Sequence, residues 1–137
     1  MLIYIDASVA GISGDMIIGS LLDLGTKEES IYVVEREISK VLGHPVKITI
    51  KDVKKHGMTS KGVTVDTFEE SLSTKKLKEN VASLTKILKL DIEAKKFSIE
   101  TLMTLLRAEE KVHGEKEDPH LHELGSVDTL VDILGTA

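Results

Sequence analysis

The sequence predicts an α+β domain, or an irregular α/β domain, in which about five helices pack on a small sheet of three or four strands. Helical periodicity is more frequent along the chain than strand-type alternation, and the strands do not alternate regularly with the helices. Two alternating stretches within residues 46–66 have the pattern of a hairpin. The 137 residues are enough for a single domain with a buried core.

The composition excludes several classes of protein. An apolar share of 41% with a charged share of 30% is typical of a soluble globular domain. A net charge of −5 argues against nucleic acid as a partner, and the absence of cysteine excludes disulfides and thiolate metal sites. No apolar run approaches membrane length, and the start of the chain lacks the basic and apolar regions of a signal peptide. We therefore expect a cytoplasmic protein without a membrane partner.

The first element is predicted to be a central strand. Residues 2–6 form an apolar run that ends in Asp6, which is typical of a strand covered on both faces. Gly11 and Gly14 follow and permit tight backbone turns. The chain then passes from this loop directly into a helical pattern.

Two helices follow the loop. The first is predicted from about Asp15 to Leu24, with Ser13 as its N-cap. The second covers residues 27–42 and is ended by Gly43. The only polar stripe of the first helix consists of Asp15, Gly19 and Asp23.

A hairpin and three further helices complete the prediction. Apolar and polar residues alternate from Val46 to Ile50, and the alternation resumes at Val63 and Val65 after a glycine-containing turn. Ser73 or Thr74 is the expected cap of the next helix. The three helices are predicted over residues 75–88, from Ile92 or Ser98 to Val112, and from Ser126 to the C-terminus.

Glu109 and His113 lie four residues apart near the end of the fourth helix. They fall within the arc defined by its apolar residues and therefore point towards the interior. Polar groups in such a position need partners. A buried hydrogen-bonded pair satisfies this requirement, and so does a metal-ligand pair. The apolar residues of the arc are Ile99, Leu102, Met103 and Leu106.

The segment after this helix concentrates metal-binding side chains. Pro119 favours an extended backbone before it, and in an extended segment His120 and His122 project from the same side. Neutral imidazole suits nickel, zinc, copper or iron. A solvated loop and a metal site with His113 and Glu123 are both compatible with this pattern.

Two further carboxylate patterns bear on a site. Asp128 and Asp132 lie four residues apart in the last helix, apart from its apolar stripe, and the spacing alone favours a solvated face over a cation site. At the other end of the chain, Asp6 and Asp15 flank a glycine loop that leads into a helix. Because Asp15 would compete with an anion for the helix N-terminus, this loop fits a cation, or a phosphate bridged by a cation.

Two segments of the sequence resemble the nickel insertion proteins that make the nickel-pincer cofactor. The first is Tyr4-Ile5-Asp6, then Gly11-Ile12-Ser13-Gly14-Asp15-Met16 and Leu22-Asp23-Leu24-Gly25. The second is Ala108-Glu109-Glu110-Lys111-Val112-His113-Gly114, then His120-Leu121-His122-Glu123-Leu124-Gly125-Ser126-Val127-Asp128 and Val131-Asp132-Ile133-Leu134-Gly135.

The resemblance implies CTP-dependent cyclometallation, in which nickel is inserted into pyridinium-3,5-bisthiocarboxylic acid mononucleotide by a nickel-inserting lyase. The product serves lactate racemase. In that family CTP, with Mg²⁺ or Mn²⁺, binds a C-terminal domain. We therefore expect residues 1–137 to form only the N-terminal, nickel-handling domain, which needs the C-terminal domain or subunit as a partner to be active. A homo-oligomer is compatible with the sequence.

The resemblance also implies roles for the candidate residues. Ser13, Gly14 and Asp15 would bind the precursor, and Asp6, Asp15 and Glu123 are the candidates for catalysis. The expected metal ligands are His113, His120, His122, Glu109 and Asp128. The alternative is a metal-binding or assembly module without catalysis, which uses the same motifs to dock a partner domain.

Overall fold

The computed structural model describes residues 3–8, 11–55, 57–67, 72–113 and 126–137, with the side chains of Lys55 and His113 excepted. The described part confirms an α+β domain with five helices and a hairpin. In chain order the elements are α1 (Gly14–Asp23), α2 (Glu28–Leu42), β1 (Val46–Lys55), β2 (Met58–Thr67), α3 (Thr74–Ile87), α4 (Ile92–His113) and α5 (Val127–Thr136).

The last helix, α5, lies at the centre of the core. It contacts α1, α2, α3 and α4, whereas the hairpin packs mainly against α1 and α2. The apolar stripe predicted for α5 is confirmed, because its members are fully or almost fully buried. These members are Val127, Leu130, Val131 and Leu134, and Ile133 is buried with them.

The hairpin has the predicted position and a register that runs from Val46 opposite Thr67 to Lys55 opposite Met58. One face is apolar and packs on the helices, with Ile48 and Val63 almost completely buried. The sheet has two strands in the described part of the chain, so the prediction of three or four strands is not confirmed.

Helix side chains cover both outer edges of the hairpin. On β1, the backbone N–H of Val46 donates to Ser39 Oγ at 3.0 Å, and the N–H of Ile48 donates to the Glu35 carboxylate of α2. On β2, the N–H of Lys61 donates to Asp23 Oδ2 of α1 at 3.0 Å. The groups that a third strand would pair with are thus already bonded at these positions.

The prediction of a central strand over residues 2–6 is wrong for the described residues 3–6. They form no strand, and Ile3, Tyr4 and Ile5 are 51%, 84% and 66% exposed. Asp6 starts a turn instead, because its carboxylate accepts both the N–H and the hydroxyl of Ser8. An apolar run forms a buried strand only where a sheet edge is free to receive its backbone.

Gly19 brings α1 into close contact with the hairpin. A Cβ atom at this position would overlap the backbone carbonyl oxygen of Lys61. The Lys61 ammonium bonds Asp52 at 3.0 Å and Glu28 at 3.2 Å, which joins β2 to β1 and to the start of α2. The sequence suggested that Gly19 belongs to a polar stripe with Asp15 and Asp23. In the structure Gly19 instead belongs to the surface of α1 that packs on β2.

The caps of the middle helices agree with the sequence analysis. Gly43 ends α2 with a φ of 77°, which favours glycine, and Ser73 caps α3 by accepting the N–H of Lys76 at 3.3 Å. In α4, Leu102 and Leu106 are buried as predicted, but Ile99 is 46% exposed, so the apolar arc is narrower than expected. None of the described helices combines the length and apolar character needed to cross a membrane.

We predict that Gly19→Ala destabilises the fold by about 1–2 kcal/mol. Alanine favours a helix by about 0.5–1 kcal/mol over glycine, but its Cβ must displace the Lys61 backbone. Urea unfolding of wild type and variant measures the difference. Ser20→Ala, at the exposed neighbouring position, is the control and should change stability by less than about 0.5 kcal/mol. A Gly19→Ala variant as stable as the wild type would show that α1 does not need this close approach.

Candidate functional site

The N-terminus of α1 carries three of the candidate site residues, Ser13, Gly14 and Asp15. Ser13 occupies the N-cap position, but its hydroxyl makes no capping bond and donates instead to the Asp15 carboxylate. The same carboxylate accepts the N–H of Met16 at 2.9 Å. Asp15 is exposed and lies in the first turn, where the helix dipole favours a negative charge.

Gly14 brings α5 against this motif. A Cβ atom on Gly14 would overlap the Cβ and Cγ atoms of Asp132, so Asp132 packs directly on the first residue of α1. The head and the tail of the chain therefore meet, and three carboxylates lie near one another there. The charge of Asp15 raises the pKa of both α5 aspartates, Asp128 and Asp132.

A cleft of about 420 Å³ opens beside this contact, between α1, α4 and α5. Its wall is largely apolar, and Asp132 is the only carboxylate among the described residues that line it. Four hydroxyl side chains also face it: Ser13, Thr101, Thr129 and Thr136. An apolar cleft with a few convergent polar groups is the usual form of a small-molecule site.

Asp132 has an unusual environment for a carboxylate. It is half-buried, and within the described ranges no N–H or O–H group donates to it. Burial raises the pKa of Asp132 to about 6 from the usual 3.8, and the charges of Asp15 and Asp128 act in the same direction. For the exposed Asp128, desolvation and Asp15 also raise the pKa.

Asp132 was missed as a functional residue by the sequence analysis. Its spacing from Asp128 favoured a solvated face, which holds for Asp128 but is wrong for the half-buried Asp132. The signal in the sequence was that Asp128 and Asp132 are the only ionisable residues of α5.

The structure locates some of the other candidate residues. Asp6 makes its hydrogen bonds within its own loop, to Ser8 Oγ at 2.6 Å and Ser8 N at 2.9 Å, and these bonds lower its pKa. Glu109 is half-buried on α4. His113 is the last residue of α4, while its side chain, together with His120, His122 and Glu123, lies outside the described residues.

No set of three metal-binding side chains forms among the described residues. Asp15, Asp128 and Asp132 are near enough to repel one another, but they do not surround a common point as the ligands of one ion do. The imidazoles in which the sequence analysis placed the metal site are outside this part of the chain. The described part of the site is thus a largely apolar cleft with the Asp132 carboxylate in its wall.

The fold and the cleft define a small α+β domain whose first and last helices bring carboxylates together beside an apolar hollow. A family model described as nickel insertion protein matches residues 3–137, and the chain belongs to this family. No solved structure matches the chain.

Known relatives carry the same description. The chain is 38% identical over 137 residues to a putative nickel insertion protein of Methanopyrus kandleri, covering 100% of this chain and 34% of the relative. It is 36% identical to the pyridinium-3,5-bisthiocarboxylic acid mononucleotide nickel insertion protein of Akkermansia muciniphila, covering 93% of this chain and 33% of the relative. The protein of the same description from Staphylococcus saprophyticus is 33% identical, covering 98% and 33%. The chain spans about a third of the length of these relatives.

We predict that Asp132→Asn stabilises the fold at pH 7.5. A carboxyl with a raised pKa in the folded state gives its full contribution to stability below about pH 4 and loses it as the pH rises through about 6. At pH 7.5 the wild type bears the whole penalty, about 1–3 kcal/mol, which the neutral amide avoids. Urea unfolding at pH 7.5 and pH 4 measures this, with a gain expected only at the higher pH.

The control for this charge loss is Asp66→Asn, on the exposed face of the hairpin. It should change stability by less than about 0.5 kcal/mol at both pH values. Destabilisation by Asp132→Asn at pH 7.5 would contradict the buried, unpaired environment assigned to this carboxyl.

We also predict that Asp15→Asn lowers the pKa of Asp132, because it removes the nearest negative charge from another helix. Carboxyl ¹³C NMR titration of the two proteins measures the shift directly. Asp66→Asn should leave the Asp132 titration unchanged. An Asp132 titration that is identical with and without the Asp15 charge would show that the two groups are not close neighbours in solution.

Proposed function

We propose that this chain forms the N-terminal part of a protein that inserts nickel into pyridinium-3,5-bisthiocarboxylic acid mononucleotide. The membership of the family supports the handling of nickel, and the descriptions of two relatives name this substrate. The single observation that supports a site in this chain is the contact of Asp132 with Gly14, which places a carboxylate in the wall of the apolar cleft between α1, α4 and α5.

In this proposal the cleft receives the substrate. The segment that carries His113, His120 and His122, here called the histidine segment, delivers nickel. The dimensions of the cleft suit one ring, and its hydroxyls can hydrogen-bond thiocarboxylate oxygen. Ser13 and Gly14 line the cleft, and together with Asp15, to which the Ser13 hydroxyl donates, they would position the mononucleotide phosphate through a cation. Asp6, in the neighbouring turn, would contribute charge at the same end of α1.

Nickel is a substrate of the reaction, and its carriers would be His113, His120 and His122, with Glu109 as an oxygen ligand or orienting group. Neutral imidazole binds nickel well, and a carboxylate next to a ligating imidazole fixes its orientation. Glu123 is close enough in sequence to the imidazoles to take part. Asp128, at the start of α5, would supply a further carboxylate oxygen to the metal.

Residues 1–137 would act as one nickel-handling domain and not as the complete enzyme. The relatives are about three times as long, and the proposal assigns CTP, with Mg²⁺ or Mn²⁺, to the part that this chain does not match. The complete protein would be a nickel-inserting lyase of the cytoplasm that supplies the cofactor of lactate racemase. The second part would dock as a domain or a subunit.

An assembly module without catalysis is the second candidate. Ile12, which lines the cleft, and Met16, in the first turn of α1, are 50% and 53% exposed, which favours a covering partner at this end of α1. A module of this kind would bind the second part with or without nickel. The enzyme requires in addition that nickel reaches the substrate.

We predict that the isolated chain binds nickel and that the double variant His120→Ala/His122→Ala binds it at least about tenfold more weakly. Loss of two imidazoles removes the ligands for which nickel has the highest preference in this chain, since cysteine is absent. Isothermal titration with nickel chloride measures both dissociation constants.

His44→Ala is the matched control for this titration. His44 follows Gly43, the residue that ends α2, and it lines a surface pocket other than the cleft of Asp132. It should bind nickel like the wild type. Equal binding by the wild type and the double variant would show that the histidine segment is structural and would remove it from the proposed function.

A further inference from the structure

Asp132 is the one described carboxylate that lines the cleft between α1, α4 and α5, and nothing in the described part of the chain neutralises it. It packs on Gly14, is half-buried and accepts no hydrogen bond from a described group. The α4 residues that line the cleft are Phe97, Thr101 and Leu105, which carry no charge. Among the described residues, the charges that act on Asp132 are those of Asp15 on α1 and Asp128 on its own helix, and both are negative.

Two hydroxyls beside Asp132 also have no partner among the described residues. Thr129 is only 7% exposed, lines the cleft, and its side chain makes no hydrogen bond there. Thr136 Oγ1 is buried and likewise has no partner. Thr136 Oγ1 is closed off from solvent, whereas the Thr129 hydroxyl is not among the fully buried unpaired atoms. Thr129 is therefore the one of the two to which a ligand in the cleft can offer a hydrogen bond.

The apolar wall of the cleft favours a flat, ring-shaped ligand. It consists of Ile12, Ile17, Phe97, Leu105 and Ile133, which offer aliphatic and aromatic surface to the faces of a ring. A substituted pyridinium ring is flat, with polar substituents at its edge and a positive charge that the Asp132 carboxylate would attract. The cleft can therefore hold the ring edge near Asp132.

We propose that Asp132 is the base that accepts the ring proton when nickel is attached to carbon. This inference rests on the proposed function. The C–H bond of the ring carbon between the two thiocarboxylates breaks, and its electron pair forms the nickel–carbon bond. The proton passes to a carboxylate oxygen of Asp132, which becomes a neutral acid. Nickel remains divalent, so no oxidant or reductant takes part.

The two neighbouring carboxylates are less suited to this role. Asp15 is exposed, is not among the residues that line the cleft, and already accepts hydrogen bonds from Ser13 Oγ and Met16 N. Asp128 is exposed and is not among the residues that line the cleft. Asp132 alone combines access to the cleft with the absence of donors, and protonation relieves its repulsion with both neighbours.

The test compares nickel insertion by the wild type, Asp132→Ala, Asp132→Asn and the control Asp66→Asn. Each chain is combined with the CTP-binding part of the protein, CTP, nickel chloride and pyridinium-3,5-bisthiocarboxylic acid mononucleotide, and the nickel-containing product is measured by mass spectrometry. We expect Asp132→Ala and Asp132→Asn to lower the rate about 100-fold or more, with substrate binding changed less than about threefold. The control should retain the wild-type rate.

Chemical rescue distinguishes a base from a residue that only shapes the cleft. Formate can occupy the space left in Asp132→Ala, so it should raise the rate of that variant at least about tenfold and leave the wild type unchanged. Urea unfolding of both variants shows that they are folded, and Asp132→Asn, which keeps the shape of the side chain, provides the result if the alanine variant does not fold.

The outcomes separate the two proposals. Product formation at wild-type rates by the Asp132 variants would overturn the role of Asp132 and leave nickel insertion intact. Loss of rate in Asp132→Ala without rescue, accompanied by loss of substrate binding, would also overturn it and assign Asp132 to substrate positioning. Absence of product from the wild type would overturn the proposed function, and this inference with it.

Discussion

The close approach of α1 and α5 is the contact on which the described site depends. Each helix presents a glycine where the other presents a side chain. Gly14 of α1 receives Asp132, and Gly135 of α5 receives Ile18, whose Cδ1 would lie 2.8 Å from a Cβ at that position. The opposite side of α5 packs on α2, α3 and α4, so neither helix can move away from the other without opening the core. The core itself therefore fixes Asp132 at the N-terminus of α1.

Asp132 differs from the acidic residues that serve the fold. Glu35 and Asp23 bond backbone N–H groups at the edges of the hairpin, and Asp91 bonds the N–H of Ala94 at the start of α4 at 2.8 Å. Each of these carboxylates satisfies a donor that would otherwise be unpaired. Asp132 satisfies no described donor, and its ionisation opposes folding. A carboxylate that weakens the fold and accepts no hydrogen bond from a described residue is best explained by an interaction with a ligand.

Much of the fold could be predicted from local sequence pattern, and the errors of that prediction share one cause. Apolar periodicity, with Gly43 and Ser73 as stop and cap, places the helices because these signals act within a few residues. The number of strands depends on what meets the edges of the hairpin, and side chains of α1 and α2 occupy them. The same holds for the site. Asp15 was found from its loop and helix start, whereas Asp132 is defined by its contact with Gly14, which is 118 residues away in sequence and leaves no local signal.

The environment of Asp132 suits the chemistry that the domain is proposed to perform. A carboxylate that coordinates nickel gives up electron density to the metal and is a weaker base, so a carboxylate free of the metal is the better proton acceptor. The described carboxylates do not form a metal-binding set, although three of them lie near one another. Their repulsion disfavours ionisation of Asp132 and so increases its affinity for a proton. A half-buried carboxylate beside two other carboxylates is thus a coherent arrangement for a proton acceptor, and imidazoles are good carriers of the metal.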